Sequence, residues 1–571
     1  MNLNAVIRVP AKDSYSTSGP ALMGRQSANE GFLKAWFKHA GHDEFWCMAR
    51  YLEEAQVFAR VGESVHLPPR PTYRWISQQK IHRVGAIGTV YLPGPQVADI
   101  AWVRRRDPQA KSTDFSIVGM THTSCELSIQ DSLADMLISP VYPWDAQICP
   151  SVSVQTMVAR LLEDERLWLQ EHLGATRMPK IQLPVLPLGV DVSQFDVPLE
   201  ERARRRQYWR QKWSLASDDV CVLYVGRLDL RTKANLFPTF DALQLANQQL
   251  RSQNGPKLIL VLAGWFASEW DERVIREAIS EACPDVRVVI EDGRPPEART
   301  GVWHAADIFT SLVDNIQETF GLTPIEAMAA SLPVVVSDYD GYRESVRDGV
   351  DGFRIPSCQP PAGVAIDIVD KHSDRMTGYR DYVSQTSSAI GLDLTQACQA
   401  FVRLASDGEL RKRLGANGLA RARVLYDWTR LIPRYQNLFA ELALLRQDAT
   451  YGLDWTASSV AWGQRHPRRS DPYHSFSHYP TIALDSRSRL LPGPMYSCDT
   501  SVREKTLSQM MARPVYQNIQ LALQAADLRR LLCDVGEADQ AGLVMPSSDR
   551  LLAVGWLIKC GLLSVKPDFS A

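Results

Sequence analysis

The feature that most restricts how this chain can fold is a recurrence of short, nearly continuous runs of β-branched and aliphatic residues. Ala5 to Val9, Val220 to Val225, Leu258 to Ala263, Val286 to Ile290, Ile308 to Leu312 and Val334 to Val336 place apolar side chains at successive rather than alternate positions. A strand that is apolar on both faces is buried on both, as in a parallel sheet covered by helices. Helical patterns alternate with these runs: Gln26 to His39 sets Phe32, Leu33, Trp36 and Phe37 on one side, and Leu236 to Leu250 follows the Val225 strand. Strand and helix in alternation predict an α/β chain built from doubly wound parallel sheets.

Two such sets are expected, and length agrees, because single cores stop growing near about 250 to 300 residues and this chain has 571. The first set spans 1–195. The second, 196–447, opens with an Arg-rich helical stretch before the Cys221 strand, and the Pro-, Gly- and Asp-containing segment 183–198 connects the two. Residues 448–571 form a third region. A stretch at 464–502 is rich in Pro, Ser, Arg and His, and helical patterning resumes from Leu507 to Val565 with Gly561 placed as a helix C-cap before a short strand. A small helical extension of unassigned role is the expectation there.

Composition narrows the function classes. With 45% hydrophobic and 22% charged residues the chain is an ordinary globular protein, and a net charge of -2 supplies no global field for nucleic acid. The ten cysteines are scattered, without a C-x-x-C pair or zinc-type spacing, so a reducing compartment and no metal centre are expected. No charged-then-apolar leader and no run of about 18 apolar residues is present, which points to a cytoplasmic protein. Six basic residues, Arg202, Arg204, Arg205, Arg206, Arg210 and Lys212, crowd one helix with Tyr208, Trp209 and Trp213. A solvated helix face is the favoured reading, and peripheral contact with anionic lipid headgroups is the rival.

The chemistry concentrates in residues 314–356, DNIQETFGLTPIEAMAASLPVVVSDYDGYRESVRDGVDGFRIP. Thr323 is expected to cap a helix with Pro324 at its first position and Glu326 closing a capping box. The loop before it, Glu318 to Leu322, would offer free main-chain N–H groups at a positive helix end, a natural diphosphate site. Glu318 and Glu326 would flank one crevice, where carboxylates accept strongly from sugar hydroxyls. Taken alone, each also reads more simply, Glu326 as a capping partner and Glu318 as a solvated loop acid.

This stretch closely resembles the Glu-x7-Glu region of family 4 retaining glycosyltransferases of the GT-B fold. There the pattern recurs as E-x-F-G-L-x-x-x-E-A-M-A, a small residue, Pro-Val-Val and a Gly-x-x-Glu loop, here Gly341 to Glu344. The likeness runs upstream through LYVGRLDLRTK (223–233) and covers roughly 1–447. It implies two Rossmann-like domains facing a cleft, a nucleotide-diphosphate sugar as donor, and no metal or other cofactor.

The resemblance also implies roles for matched residues. Glu318 would lie at the donor sugar hydroxyls and Glu326 at the nucleotide ribose. Thr319 and the main-chain amides of Phe320, Gly321 and Leu322 would approach sugar and diphosphate, and Arg227 with Lys233 would neutralise the leaving group. His122 would face the donor sugar, Gly24 would admit the phosphate, and Arg25 or Gln26 would touch phosphate or acceptor. Two departures stand out. Lys233 follows Arg227 by six residues where the family commonly has five, so either the loop bulges or Arg231 shares the role, and Ser331 replaces a usual helix-terminal Gly. The expected reaction is hexosyl transfer to an acceptor hydroxyl, with the acceptor (glycan, lipid, protein or small molecule) open. Its rivals are a nucleotide-sugar epimerase and a non-catalytic sugar-nucleotide-binding scaffold.

Overall fold

The computed structural model of the chain describes residues 3–11, 14–15, 24–66, 70–233, 235–448, 466–469, 471–484, 490–495 and 547–565. Residues 1–465 form one compact unit and 466–571 another.

The first unit holds two six-stranded sheets. The N-terminal sheet consists of β1 (Val6–Val9), β2 (Glu44–Ala49), β3 (Thr72–Ser77), β4 (Thr89–Leu92), β5 (Ser116–Met120) and β6 (Ala146–Ile148) in the order β3-β2-β1-β4-β5-β6. The second consists of β7 (Val220–Leu228), β8 (Leu258–Phe266), β9 (Arg287–Asp292), β10 (Ile308–Ser311), β11 (Val334–Ser337) and β12 (Gly352–Ile355) in the order β12-β11-β10-β7-β8-β9. Every neighbouring pair in both sheets is parallel. Counted from its own first strand, each sheet has the same doubly wound order, so the expected pair of Rossmann-like domains of a GT-B architecture is present. In each, the strand order reverses between the first strand and the fourth, β1/β4 and β7/β10, which opens a crevice at their carboxyl ends.

All six apolar runs fold as strands. The helix Gly24–His39 buries Phe32, Leu33, Trp36 and Phe37, and Phe32 stacks on Tyr91 of β4 with ring centroids 4.4 Å apart. Burial of each such side chain is worth about 1.5 to 3 kcal/mol. The last helix of the second domain, Trp428–Gln447, returns to the first: Tyr435 meets Phe32 at 5.1 Å, and the Gln436 amide donates to the Ala40 carbonyl at 2.9 Å. Gly189 is required at this crossing, since a Cβ there would sit 2.5 Å from the Trp428 ring.

Between β12 and the helix Leu394–Ser406 the chain leaves the sheet. It pairs Ser357–Cys358 (β13) antiparallel with Gly391–Leu392 (β14) and forms the helices Ile366–Ser373 and Tyr379–Ser387 between them.

The basic helix Leu199–Lys212 is internally committed. Arg206 and Arg210 pair with Asp307 at 2.7 and 3.2 Å, Arg204 and Arg205 with Glu201, and Lys212 with Glu291 at 2.7 Å, while Arg202 donates to the Ala330 carbonyl. Among the described residues, no helix is long and apolar enough to cross a membrane.

In the second unit the helix Ser547–Lys559 ends in a turn with Gly561 at φ +75°. The strand Leu563–Val565 follows and pairs antiparallel with Leu490–Pro492. Val554, Leu557, Leu562 and Leu563 close on Leu490 as a small core. The expected helices between Leu507 and Pro546 lie outside the described residues.

One local expectation is corrected. The helix after the donor loop runs Leu322–Ala329 with Gly321 at its N-cap and no side-chain cap bond, so Thr323, Pro324 and Glu326 fall inside the helix and form no capping box. Gly321, at φ +83°, makes the turn by itself, and a Cβ there would lie 1.9 Å from the Tyr342 ring. Ser331, where Gly is usual, holds a left-handed backbone at φ +62°, a conformation that strains an L side chain.

Candidate active site

The candidate residues of the second domain lie on the loops that follow β7 and β10, the two strands that flank its crevice. Arg227 sits at the end of β7, where its guanidinium donates to the Thr232 hydroxyl at 2.8 Å and its Nε stands 3.2 Å from Asp229 Oδ2. The Asp229 carboxylate accepts from the Thr232 hydroxyl at 2.6 Å and from the amides of Arg231 and Thr232, each at 3.1 Å. The Lys233 amide donates to the Asp229 carbonyl at 3.1 Å. This closed turn resolves the extra residue between Arg227 and Lys233. Lys233 Nζ reaches Glu318 Oε2 at 2.7 Å, while Arg231 points elsewhere, to Asp381 at 3.2 Å and over the Trp270 ring at 4.8 Å.

The loop after β10 clasps that turn. The Gln317 side chain donates to the Thr232 carbonyl at 2.6 Å and the Asn315 side chain to the Lys233 carbonyl. Neither residue was singled out in the sequence, because a carboxamide in a polar loop carries no pattern of its own. Burial would push the Glu318 carboxyl up, but the Lys233 ammonium and the amides of Thr319 and Phe320 outweigh it and hold the carboxyl below its ordinary value. The carboxylate therefore stays ionised.

Glu326 differs. It is partly buried, its carboxyl has no hydrogen-bonded partner among the described residues, and burial pushes its pKa up to about 7 against the distant pull of Lys233. Asp314 and Asp340, also missed in the sequence, are likewise raised by burial, to about 7 and about 8. Asp340 holds a left-handed backbone at φ +45°.

The first domain meets this loop directly. The Thr319 hydroxyl donates to the His122 carbonyl at 3.1 Å, and the Ser151 hydroxyl to the Thr319 carbonyl at 2.8 Å. Glu344, closing the Gly341 to Glu344 loop, accepts from the amides of Val152 at 2.9 Å and Ser153 at 3.1 Å, so a second-domain carboxylate caps the first-domain helix Val152–Leu173. His122 follows β5. Its Nε2–H donates to Asn29 Oδ1 at 2.9 Å, a tautomer set by the Asn29 amide, which itself donates to the Ser14 carbonyl. Burial, then the positive charge of Arg25, pushes the imidazole down to about 3, so it is neutral at physiological pH with its Nδ1 lone pair free of that bond.

Gly24 begins the helix Gly24–His39, with nothing within 4 Å of where a Cβ would stand. Arg25 is exposed and Gln26 partly buried on the next positions. The Ser18-Gly19-Pro20 segment before them lies outside the described residues. The structure thus joins Arg227, Lys233, Glu318 and Thr319 in one network that reaches His122. Glu326 lies one helical turn beyond the loop, and Arg25, at the start of the first-domain helix, acts on His122 through its charge. Among the described residues, no group of three or more His, Cys, Asp or Glu side chains is arranged to hold a metal ion.

Residues 205–365 match the family model for glycosyl transferases group 1. The chain is 29% identical over 201 residues to a D-inositol 3-phosphate glycosyltransferase of Nocardia farcinica, covering 35% of this chain and 41% of the relative. It is 26% identical over 246 residues to a phosphatidyl-myo-inositol mannosyltransferase of Mycobacterium tuberculosis, covering 43% and 54%. The chain therefore spans about half or less of the length of these curated relatives. Among solved structures, the Anabaena Alr3699/HepE complex with UDP-glucose overlaps 76% of this chain and 99% of its own at 14% identity, with a TM-score of 0.48.

Proposed function

We propose that this protein is a retaining glycosyltransferase that moves a hexosyl unit from a nucleotide-diphosphate sugar to an acceptor hydroxyl without a metal ion. The observation that carries the reading is the Lys233–Glu318 contact of 2.7 Å beside Arg227, on the two loops that flank the crevice of the second domain. The match of residues 205–365 to group 1 glycosyl transferases covers the same loops.

In this reading the donor enters between Lys233 and Glu318. Lys233 and Arg227 turn to the diphosphate, and Glu318 accepts from the sugar hydroxyls. Its carboxylate is already ionised, so it accepts without first losing a proton. The amides of Phe320, Gly321 and Leu322 add donors at the charge that develops as the bond from the anomeric carbon to the diphosphate oxygen breaks. The acceptor oxygen bonds to that carbon on the same face, and its proton passes to the departing phosphate oxygen. No protein nucleophile is needed, and positioning supplies much of the rate. His122, neutral, can accept from or donate to a hydroxyl without placing a second cation beside the sugar. Glu326, near neutrality in pKa, is assigned to the ribose hydroxyls.

A cytoplasmic setting belongs to the same proposal and rests on the dispersed cysteines. Peripheral lipid contact through the basic helix has less support, because each of its six cations is already engaged. A thermal-shift screen over uridine, guanosine and adenosine diphosphate sugars, run in EDTA, tests the reading. One donor should raise the melting temperature, since a ligand bound to the native state stabilises it. That donor, incubated with candidate acceptors, should give a product of unchanged anomeric configuration by NMR. Inversion, or a strict metal requirement, contradicts the proposal.

A further inference from the structure

The excursion between β13 and β14 carries three consecutive residues, Tyr379, Arg380 and Asp381, that all reach the loop after β7 or the loop after β10. The Tyr379 hydroxyl donates to Gln317 Oε1 at 2.9 Å and lies 3.3 Å from Cys125 Sγ of the first domain. Arg380 Nη2 donates to Asp229 Oδ1 at 3.2 Å and stands 3.8 Å from Asp271. Asp381 accepts from Arg231 at 3.2 Å. The match to group 1 glycosyl transferases stops at residue 365, before these three.

Asp229 is the joint of this arrangement. It is 3% exposed, and its two oxygens face Arg227, Arg380, the Thr232 hydroxyl and two main-chain amides. Burial would raise its pKa, but Thr232, Arg227 and Arg380 together hold it below the ordinary value, so it is ionised. A buried carboxylate with a single counter-charge would hold that charge fast. Arg227 could then serve a diphosphate only by leaving Asp229 uncompensated, which is strongly unfavourable in a buried site. Arg380 removes that conflict. It keeps Asp229 compensated from the other oxygen, and Arg227 can turn to an incoming anion.

We propose that Arg380 is a positioning residue of the donor site, acting through Asp229 to release Arg227 toward a nucleoside diphosphate, and that the 357–392 excursion is thereby part of that site. The inference rests on the reading of Arg227 as a diphosphate residue. Isothermal titration of the full chain with UDP, GDP and ADP, and with the matching nucleoside monophosphate, separates the two claims. For the nucleotide that binds the wild type, Arg380→Ala should weaken the diphosphate about tenfold and the monophosphate much less, and Arg380→Lys should recover most of the loss. At 47% side-chain exposure Arg380 can be truncated without opening the core, and melting curves of both variants verify this. Diphosphate affinity unchanged in Arg380→Ala, or an equal loss for mono- and diphosphate, overturns the positioning role while the site stands. A wild type that binds no nucleoside diphosphate overturns the site itself and the inference with it.

Discussion

The two Rossmann-like domains share one strand order but arm their crevices in opposite ways. The second places ionised groups on the loops after its first and fourth strands: Arg227, Asp229, Lys233 and Glu318, all within a web of contacts of 2.6 to 3.2 Å. The first offers a neutral imidazole, an exposed Arg25, the His122 carbonyl and the Ser151 hydroxyl. Paired charges are thus concentrated on one side of the cleft, while the other combines neutral hydrogen bonding with the cation of Arg25. A topology repeated twice need not repeat its chemistry, and under the proposed function the diphosphate belongs to the second-domain side.

Variants of the charged side should break this contrast most severely. Glu318→Ala is expected to lower turnover by orders of magnitude with an unchanged melting curve, and transfer at the wild-type rate would exclude its role. Lys233→Ala removes one preorganised cation and should reduce turnover about 10²- to 10³-fold. It also leaves the Glu318 carboxylate without its counter-charge, so the acidic limb of the pH–rate profile should move to higher pH.

The boundary between the domains is the next target. Glu344→Ala removes the carboxylate that caps the Val152–Leu173 helix from across the cleft, and a loss of about 0.5 to 2 kcal/mol in chemical denaturation is expected. Glu344→Gln should recover part of it. No loss in either variant would mean that the two domains are not coupled through this contact.

The smallest effect concerns Glu326. Its folded-state pKa, about 7, lies above the ordinary carboxyl value. The folded state therefore holds the proton more tightly, and its contribution to stability, full below the unfolded value, is lost as pH rises through about 7. Glu326→Gln has no such group, so its melting temperature should gain on the wild type between pH 5 and pH 8. A constant difference across that range would show that Glu326 is not buried as described.

These sites were unequally legible. The six apolar strands stood out because the burial of β1, β7, β8, β10 and β11 demands consecutive apolar side chains, and β9, only partly buried at the sheet edge, keeps the same run. β6, three residues with Gln147 buried in the middle, and the edge strand β3, TYRWIS, break that pattern. The charged loops were legible through motif spacing, yet the helix start was misread, since Gly321 turns the chain where a Thr cap was expected. Asn315, Gln317, Asp229 and Arg380 carry no local signal. Their significance comes from contacts across 82 to 151 positions or from a turn that only the fold completes.

The claim that the second domain holds a diphosphate on Arg227 and Lys233 is tested most directly by titrating nucleoside diphosphates, in EDTA, into wild type and the Lys233→Ala variant. Binding to the wild type without metal, weakened at least about tenfold in Lys233→Ala, is the predicted result. Equal affinity in the two proteins, or wild-type binding that appears only when a divalent cation is restored, would contradict it.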